Sequence, residues 1–391
     1  LIQNADDYPN SDNNVSITFQ IDNSHLIIKH NGSNFEVNNA VALCGVNEGD
    51  KREDTNKIGF KGIGFKSIFK DANFAYIKSG DFSFRFDEEV WRQQGIEIFW
   101  HITPINTSVN EFKHFLKTES NVNIIIRPRA FQALKTYRET FATHFNDERI
   151  LLFLRNVKSL IFDSAEEKFE ISNSSSKWKI FTETNVEIPE NETNELNRRI
   201  NFPDKRIPVK FHDITLTELG FGFRVNQNKV ESIGDGFIYA YLPTKVNLGF
   251  SFILNGNFIP DASRTKIYSD LTWNSFLFEK AGELFIKQIT SLITEDLDKE
   301  SVLKQIPNFP EILLNIKDDD KIIFINCFKS GFEKEILNQY FIPTQSGPLE
   351  TLSKILIDDT GLADLLKEDF FTLTGITAKL IHDEVGKGVE N

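Results

Sequence analysis

The 391-residue sequence contains no methionine, only two cysteines, and no apolar run that approaches the length of a bilayer. Cys44 and Cys327 have no C-x-x-C partner, which excludes a disulfide framework and a thiolate zinc site and fits a reducing cytoplasm. A spanning helix needs about 20 predominantly apolar residues, so no membrane segment is expected. Positive charge is scarce too: 44 Lys and Arg face 57 Asp and Glu, a net charge of -13. That balance argues against a chain whose main work is wrapping nucleic acid, because such affinity comes from neutralising phosphates. The lack of methionine extends to position 1, so residues ahead of Leu1 are expected. Also missing are H-E-x-x-H, G-x-S-x-G, a Cys/His pair at nucleophile spacing, and any internal repeat. The acidic run Asp318-Asp319-Asp320 reads as a solvated turn.

What is present is ordinary for a globular protein, with 40% hydrophobic and 26% charged residues, at a length that predicts two or three domains. Leu1 to Asp7 reads as the end of a helix stopped by Pro9. "VSITFQI" and "HLIIKH" alternate around Asp22-Asn23-Ser24, a hairpin signal. Val37 to Cys44 predicts a short helix, residues 108–118 another, and Ala130 to Leu154 a long one. "NVNIIIRP" reads as a buried strand. The composition changes near residue 156, and strands are predicted at "VKSLIF", "KFEIS", "WKIFTE", "GFIYAYLP" and "GFSFILNG". From Thr272 the pattern turns helical, with Leu277, Ala281, Leu284, Phe285, Ile289 and Leu292 at helical spacing.

Against the acidic total, residues 51–70 hold Lys51, Arg52, Lys57, Lys61, Lys66 and Lys70 with only Glu53 and Asp54 to oppose them. The same stretch carries Gly59, Gly62 and Gly64, spaced G-x-x-G-x-G before a predicted helix at Lys66 to Lys70. Glycines so placed let main-chain N–H groups approach an anion closely. It is not a Walker A loop, since no G-x-x-x-x-G-K-[ST] occurs. Upstream, "LIQNADD" places Asn4 beside Asp6 and Asp7 at a helix end, an oxygen set suited to a Mg2+ ion that keeps several waters. Between the two lies "HNGSNF", a strand end and a glycine turn.

In this order, "LIQNADD", "HNGSNF" and "IGFKGIGFKSIF" resemble the three nucleotide-binding boxes of the Hsp90, gyrase, histidine-kinase and MutL (GHKL) ATPase superfamily, in the variant of the sacsin and NO VEIN branch. "SGDFSFRFD", "LLFLRNVKSLIF" and "YLPTKVNLGFSFILNGNFIPDASRTKI" extend the resemblance over roughly residues 1–270. It implies an α+β chain: an Hsp90-type (Bergerat) α/β sandwich over residues 1–155, a transducer-like α/β domain over 156–270, and a mainly helical region over 271–391. It implies ATP and Mg2+ as cofactors, with Asn4 holding the metal and Asp7 beside it. The phosphates would lie against Gly59, Phe60, Lys61, Gly62, Ile63, Gly64, Phe65 and Lys66, with residues 45–58 as a lid. Arg264 matches the basic residue that a second domain offers to the γ-phosphate.

Two positions depart from the family pattern. The Asp that reads adenine is replaced in the stretch His30, Asn31, Gly32, where His30 or Asn31 would have to supply a weaker, neutral acceptor. The general-base Glu of the family stands four positions before the Mg2+ Asn, which here is the position preceding Leu1. The resemblance implies an ATP-driven switch whose closure reaches a protein partner or client through the C-terminal helices, chaperone-like in sacsin and plausible in bacterial anti-phage systems. Homodimers are common in the superfamily. The alternatives are a scaffold that senses ATP or ADP without efficient hydrolysis, or a DNA-directed factor, which would need a basic stripe that the sequence does not show.

Overall fold

The computed structural model describes residues 1–45, 65–116, 119–144, 147–172, 177–345, 347–356 and 378–381. The protein is mixed α+β, with two large sheets and a helical C-terminal region. It divides into two compact units, Leu1–Ser174 with Glu195–Ile214, and Ser175–Asn194 with Thr215–Asn391.

The first unit opens with helix α1 (Ile2–Asp7), then strands β1 (Val15–Ile21) and β2 (Leu26–His30). Strict alternation of buried and half-buried residues along β1 is what a strand with one core face dictates. Asp22 Oδ1 closes the β1–β2 hairpin by accepting from the N–H groups of Ser24 and His25, both at 2.7 Å. Helix α2 (Val37–Cys44) begins at a reciprocal capping box between Glu36 and Asn39. Strands β3 (Ala72–Ser79) and β4 (Phe82–Asp87) follow, then α3 (Glu88–Gln93), β5 (Ile105–Asn106), β6 (Val122–Pro128), α4 (Phe131–His144), β7 (Val157–Ser164) and β8 (Lys168–Ser172). Residues 66–70 and 109–115 form 3-10 turns where the sequence predicts α-helix, and α4 stops at His144, short of Leu154.

These strands make one sheet in the order β5-β4-β3-β6-β2-β1-β7-β8, antiparallel except between β1 and β7. The first unit therefore runs past the compositional break at 156, because β7 and β8 extend the sheet from β1. Register assigns its two faces. Phe19, Ile28 and His30 share one face with Ile77, Ser79 and Phe86, and Phe141 of α4 packs on Phe19 at 4.9 Å between ring centroids. Phe65 and Phe69 pack on Phe86 over that same face, at 6.2 and 5.5 Å. The opposite face carries Ile27, Phe74, Tyr76 and Ile125, covered by Phe112, Phe115 and Leu116.

Helix α5 (Glu190–Asn201) straddles the division in sequence. The second unit holds β9 (Trp178–Glu187), β10 (Leu216–Asn226), β11 (Lys229–Glu231), β12 (Phe237–Ala240), β13 (Leu242–Asn247) and β14 (Ile253–Gly256), then α6 (Thr272–Ile293), α7 (Lys299–Leu303), α8 (Phe309–Asn315) and α9 (Asp319–Ile336). The sheet runs β11-β10-β14-β12-β13, with β9 also paired to β10. No boundary falls near residue 270: α6 packs on the sheet that precedes it, with Phe285 stacked on Phe252 at 4.6 Å. Many of the 37 phenylalanines gather here, and Phe250 meets Phe328 at 4.7 Å while Phe278 stacks on Phe324 at 4.5 Å. Each such ring contributes roughly 1.5–3 kcal/mol on burial. Helices α6 and α9 touch backbone to backbone: a Cβ on Gly331 would stand 1.8 Å from the Glu279 carbonyl oxygen, and one on Gly282 would stand 2.0 Å from that of Phe328.

Candidate functional site

Helix α1 buries Ile2 and Ala5 and leaves Asn4 exposed, with Asp7 one turn on and half-buried. Asp6 is 1% exposed. Its Oδ1 accepts from the N–H groups of Asn156 (2.7 Å) and Val157 (2.8 Å), and its Oδ2 accepts from Arg155 N–H at 3.1 Å. The two neighbouring carboxylates thus differ in kind. Asp6 ties α1 to the start of β7, while Asn4 and Asp7 share the remaining face of the helix.

The glycine turn after β2 is laced to the end of α1. Ser33 N–H donates to the Tyr8 carbonyl at 2.9 Å, and Ser33 Oγ donates to that of Pro9. Gly32 lies so close that a Cβ there would be 2.6 Å from Tyr8 O and 2.9 Å from His30 Nδ1. From across the sheet, Asn121 Nδ2 donates to the Gly32 carbonyl at 2.9 Å and to that of Asn31 at 3.3 Å. Asn31 is turned toward β1: its Oδ1 accepts from Ser16 N–H at 2.8 Å and its Nδ2 donates to Asn14 O at 3.1 Å. His30 Nδ1 accepts from Gly32 N–H at 3.2 Å, and burial lowers the imidazole pKa from 6.5 to about 4. The ring is neutral at physiological pH.

Gly59, Phe60, Lys61, Gly62, Ile63 and Gly64, and the predicted lid from residue 46 onward, lie outside the described residues. The two site residues that follow are described. Phe65 is buried against Phe86 and Phe69, and Lys66 starts the 3-10 turn half-buried. Burial raises the Cys44 thiol pKa at the end of α2, and the nearby Lys66 charge opposes that rise. His30 and the exit of the glycine segment thus stand over one face of the sheet, the face that also carries α4.

Arg264 belongs to the second unit. It adopts a left-handed backbone, φ 57°, in a loop organised by Asp261, whose carboxylate accepts from Ser263 Oγ, Thr265 Oγ1 (2.9 Å) and Lys266 N–H (3.0 Å). The Asp261 pKa falls to about 2, with burial opposing those hydrogen bonds. Arg264 Nη1 donates at 3.2 Å to the carbonyls of both Ala240 and Leu242, which flank Tyr241, another left-handed residue at φ 66°. Burial brings the guanidinium pKa down to about 10, partly offset by Asp261.

The sequence did not single out Asn121 or the anchoring role of Asp6. Asn121 is a loop amide about 90 residues from its partners, with no local signal, whereas a carboxylate at a helix end was at least a visible anchor. No family model matches the chain. It is distantly similar to Protein NO VEIN of Arabidopsis thaliana, 24% identical over 338 residues that cover 80% of this chain. The match takes in 12% of that relative, so the chain spans only a small part of its length.

Proposed function

We propose that the first unit binds a nucleoside triphosphate with Mg2+ in the manner of the Hsp90-like ATPases, as a sacsin- and NO VEIN-like nucleotide-driven switch. The observation that carries this reading is the lacing of α1 to the glycine turn through Tyr8, Gly32 and Ser33, on an α+β unit whose third motif exits over the sheet face occupied by His30. Residues of the first two motifs touch, and Phe65, which follows the third, stands over the same sheet.

The donor set fits the cation. Mg2+ of this kind takes one or two protein oxygens and fills its other positions with phosphate and water. Asn4, exposed on α1, offers a neutral oxygen, and Asp7 stands a turn away. Among the described residues no three His, Cys, Asp or Glu gather as a cage. Bound there, the metal would neutralise phosphate charge. The chain's own groups would position the phosphates: Lys66 as a point charge and the segment before it through main-chain N–H groups. ATP is the nucleotide the resemblance implies, with chaperone-like or defence work as its biological setting. Among the described residues no helix is long and apolar enough to cross a membrane.

Calorimetry with a slowly hydrolysed ATP analogue tests the reading. Binding is expected with Mg2+, weakened at least roughly tenfold by Asn4→Ala in Mg2+ but unchanged by that substitution in EDTA. Equal losses in both conditions would remove Asn4 from the metal. Unchanged affinity in Gly62→Val would remove the glycine segment.

A further inference from the structure

A second concentration of positive charge lies at the end of α5, in the part of that helix that belongs to the first unit. The stretch "NRRINFPDKR", residues 197–206, sets Arg198, Arg199, Lys205 and Arg206 against Asp204, in a chain whose net charge is -13. Glu195, Arg198, Arg199 and Phe202 follow at intervals of three and four, so they share one stripe of the helix. A bond from Phe202 N–H to the Arg198 carbonyl, 2.9 Å, extends the last turn to the phenylalanine.

The charges on this stripe form a chain. Glu195 accepts from Arg198 Nε and Nη2 and from Arg199 Nε, each at 2.7 Å. Arg199 Nη1 stands 3.5 Å from Asp204 Oδ2, and Arg206 holds the Asp204 carboxylate through Nε at 2.8 Å and Nη2 at 2.7 Å. The bonds from Arg198 and Arg199 bring the Glu195 pKa down to about 2, and those from Arg206 lower that of Asp204, so both acids stay ionised. Solvent nevertheless meets the cations first. The side chains of Glu195 and Asp204 are 25% and 17% exposed, against 59% for Arg198 and 33% for Arg206. Lys205 is exposed as well, and Phe202 stands among these cations 76% exposed. Asp213, bonded to Asn197 on the next row of the helix, marks one border of the patch.

Glu–Arg pairs at three and four, with cations in a last turn, support a helix, and that accounts for Arg198 and Arg199. It does not account for a ring left in water beside them, or for Lys205 and Arg206 beyond the helix end. We propose that this surface binds single-stranded nucleic acid, with Phe202 as a platform on which a base stacks and Arg198, Lys205 and Arg206 facing the neighbouring phosphates. Guanidiniums already held by Glu195 and Asp204 lose little freedom on binding, and every unpaired base has a face to stack. A membrane surface fits less well: apart from buried Leu196 and half-buried Ile200, α5 carries no large apolar side chain, so the helix has no face to sink into lipid. The proposal stands whether or not the first unit takes a nucleoside triphosphate.

The test is fluorescence anisotropy on the full chain with labelled oligothymidylate and oligouridylate of about 15 nucleotides, and with a DNA duplex of the same length. Co-sedimentation with phosphatidylserine-containing vesicles runs beside it. Either single strand is expected to bind more tightly than the duplex, with log affinity falling against log salt at a slope of about 2, since each of the three cations displaces about 0.7 counterion. Phe202→Ala should weaken binding at least roughly fivefold without changing that slope, and Phe202→Trp should retain it. Lys205→Ala should instead make the slope shallower by about 0.7. An unchanged thermal midpoint in Phe202→Ala separates a lost contact from a lost fold, and the Lys205→Ala slope tests the surface independently. Absence of saturable binding at low salt overturns the proposal. So does binding that neither substitution moves, which would place the contact on another surface, and so does capture by vesicles without binding of either single strand, which would make the patch a membrane contact.

Discussion

The Asp6 carboxylate accepts a hydrogen bond from Val157 N–H at 2.8 Å, joining the first helix to a strand that begins 150 residues later. Two further N–H groups, of Arg155 and Asn156, end on the same side chain. A buried acceptor of three charge-assisted bonds cannot be exchanged cheaply, because Asn keeps one acceptor oxygen and aims an N–H2 group at main-chain donors. Asp6→Asn should cost roughly 2–4 kcal/mol in urea denaturation. An unchanged midpoint would show that the tie contributes nothing.

His30 predicts a pH dependence of stability. Its pKa is depressed in the folded state, from 6.5 to about 4, so the unfolded chain binds the proton more readily between those values. The contribution is whole above about pH 6.5 and is lost as pH falls toward 4. At roughly 1.4 kcal/mol per unit, that is a loss of about 2–3 kcal/mol. His30→Gln should remove this part of the slope. Parallel stability profiles for the two proteins from pH 7 to 4 would mean that the imidazole is not buried as described.

Arg264 combines a left-handed backbone with two carbonyl bonds, which makes its substitutions separable. Ala loses the bonds and keeps the strained φ, whereas Gly loses the bonds and relieves the strain. Arg264→Ala should destabilise by roughly 1–3 kcal/mol, and Arg264→Gly by about 1 kcal/mol less. Equal losses for the two variants would show that the backbone at this position carries no strain.

Replacing glycine by alanine inside an exposed helix ordinarily stabilises by about 1 kcal/mol. At Gly331 the sign should reverse, because the added Cβ would stand 1.8 Å from a carbonyl oxygen of α6. Gly331→Ala is expected to cost about 3 kcal/mol or more. Thermal unfolding at or above the original midpoint would show that the helices can part without loss.

Local pattern carried much of the fold. The β1–β2 hairpin and α6 announce themselves by period and β6 by a short apolar run, and all three are present. Pairing between distant segments did not show: β7 reads as a new beginning, yet it lies parallel to β1 with Ile17 beside Leu160. Strand β10 was not anticipated, because Gly220 and Gly222 interrupt a run whose long buried stretch from Leu219 to Phe223 has no period of two. The same division runs through the candidate site. Residue types at His30, Asn31 and Asp6 were visible, but their hydrogen-bond polarity was not, because it depends on Gly32 N–H, on the start of β1, and on the main chain at 155–157. Such partners are set by tertiary structure.

The meshing of Gly282 and Gly331 makes α6 and α9 a strut without slack. Helices separated by side chains can creep past one another as rotamers adjust, but here each main chain sits in a notch one missing Cβ wide. A slide along the axis would bring the next side chains on the same faces, Phe278 or Ile286 of α6 and Phe328 or Glu335 of α9, toward the notch. The pair therefore carries push and twist as one solid piece from end to end, and any bending must be taken up in the connections around it.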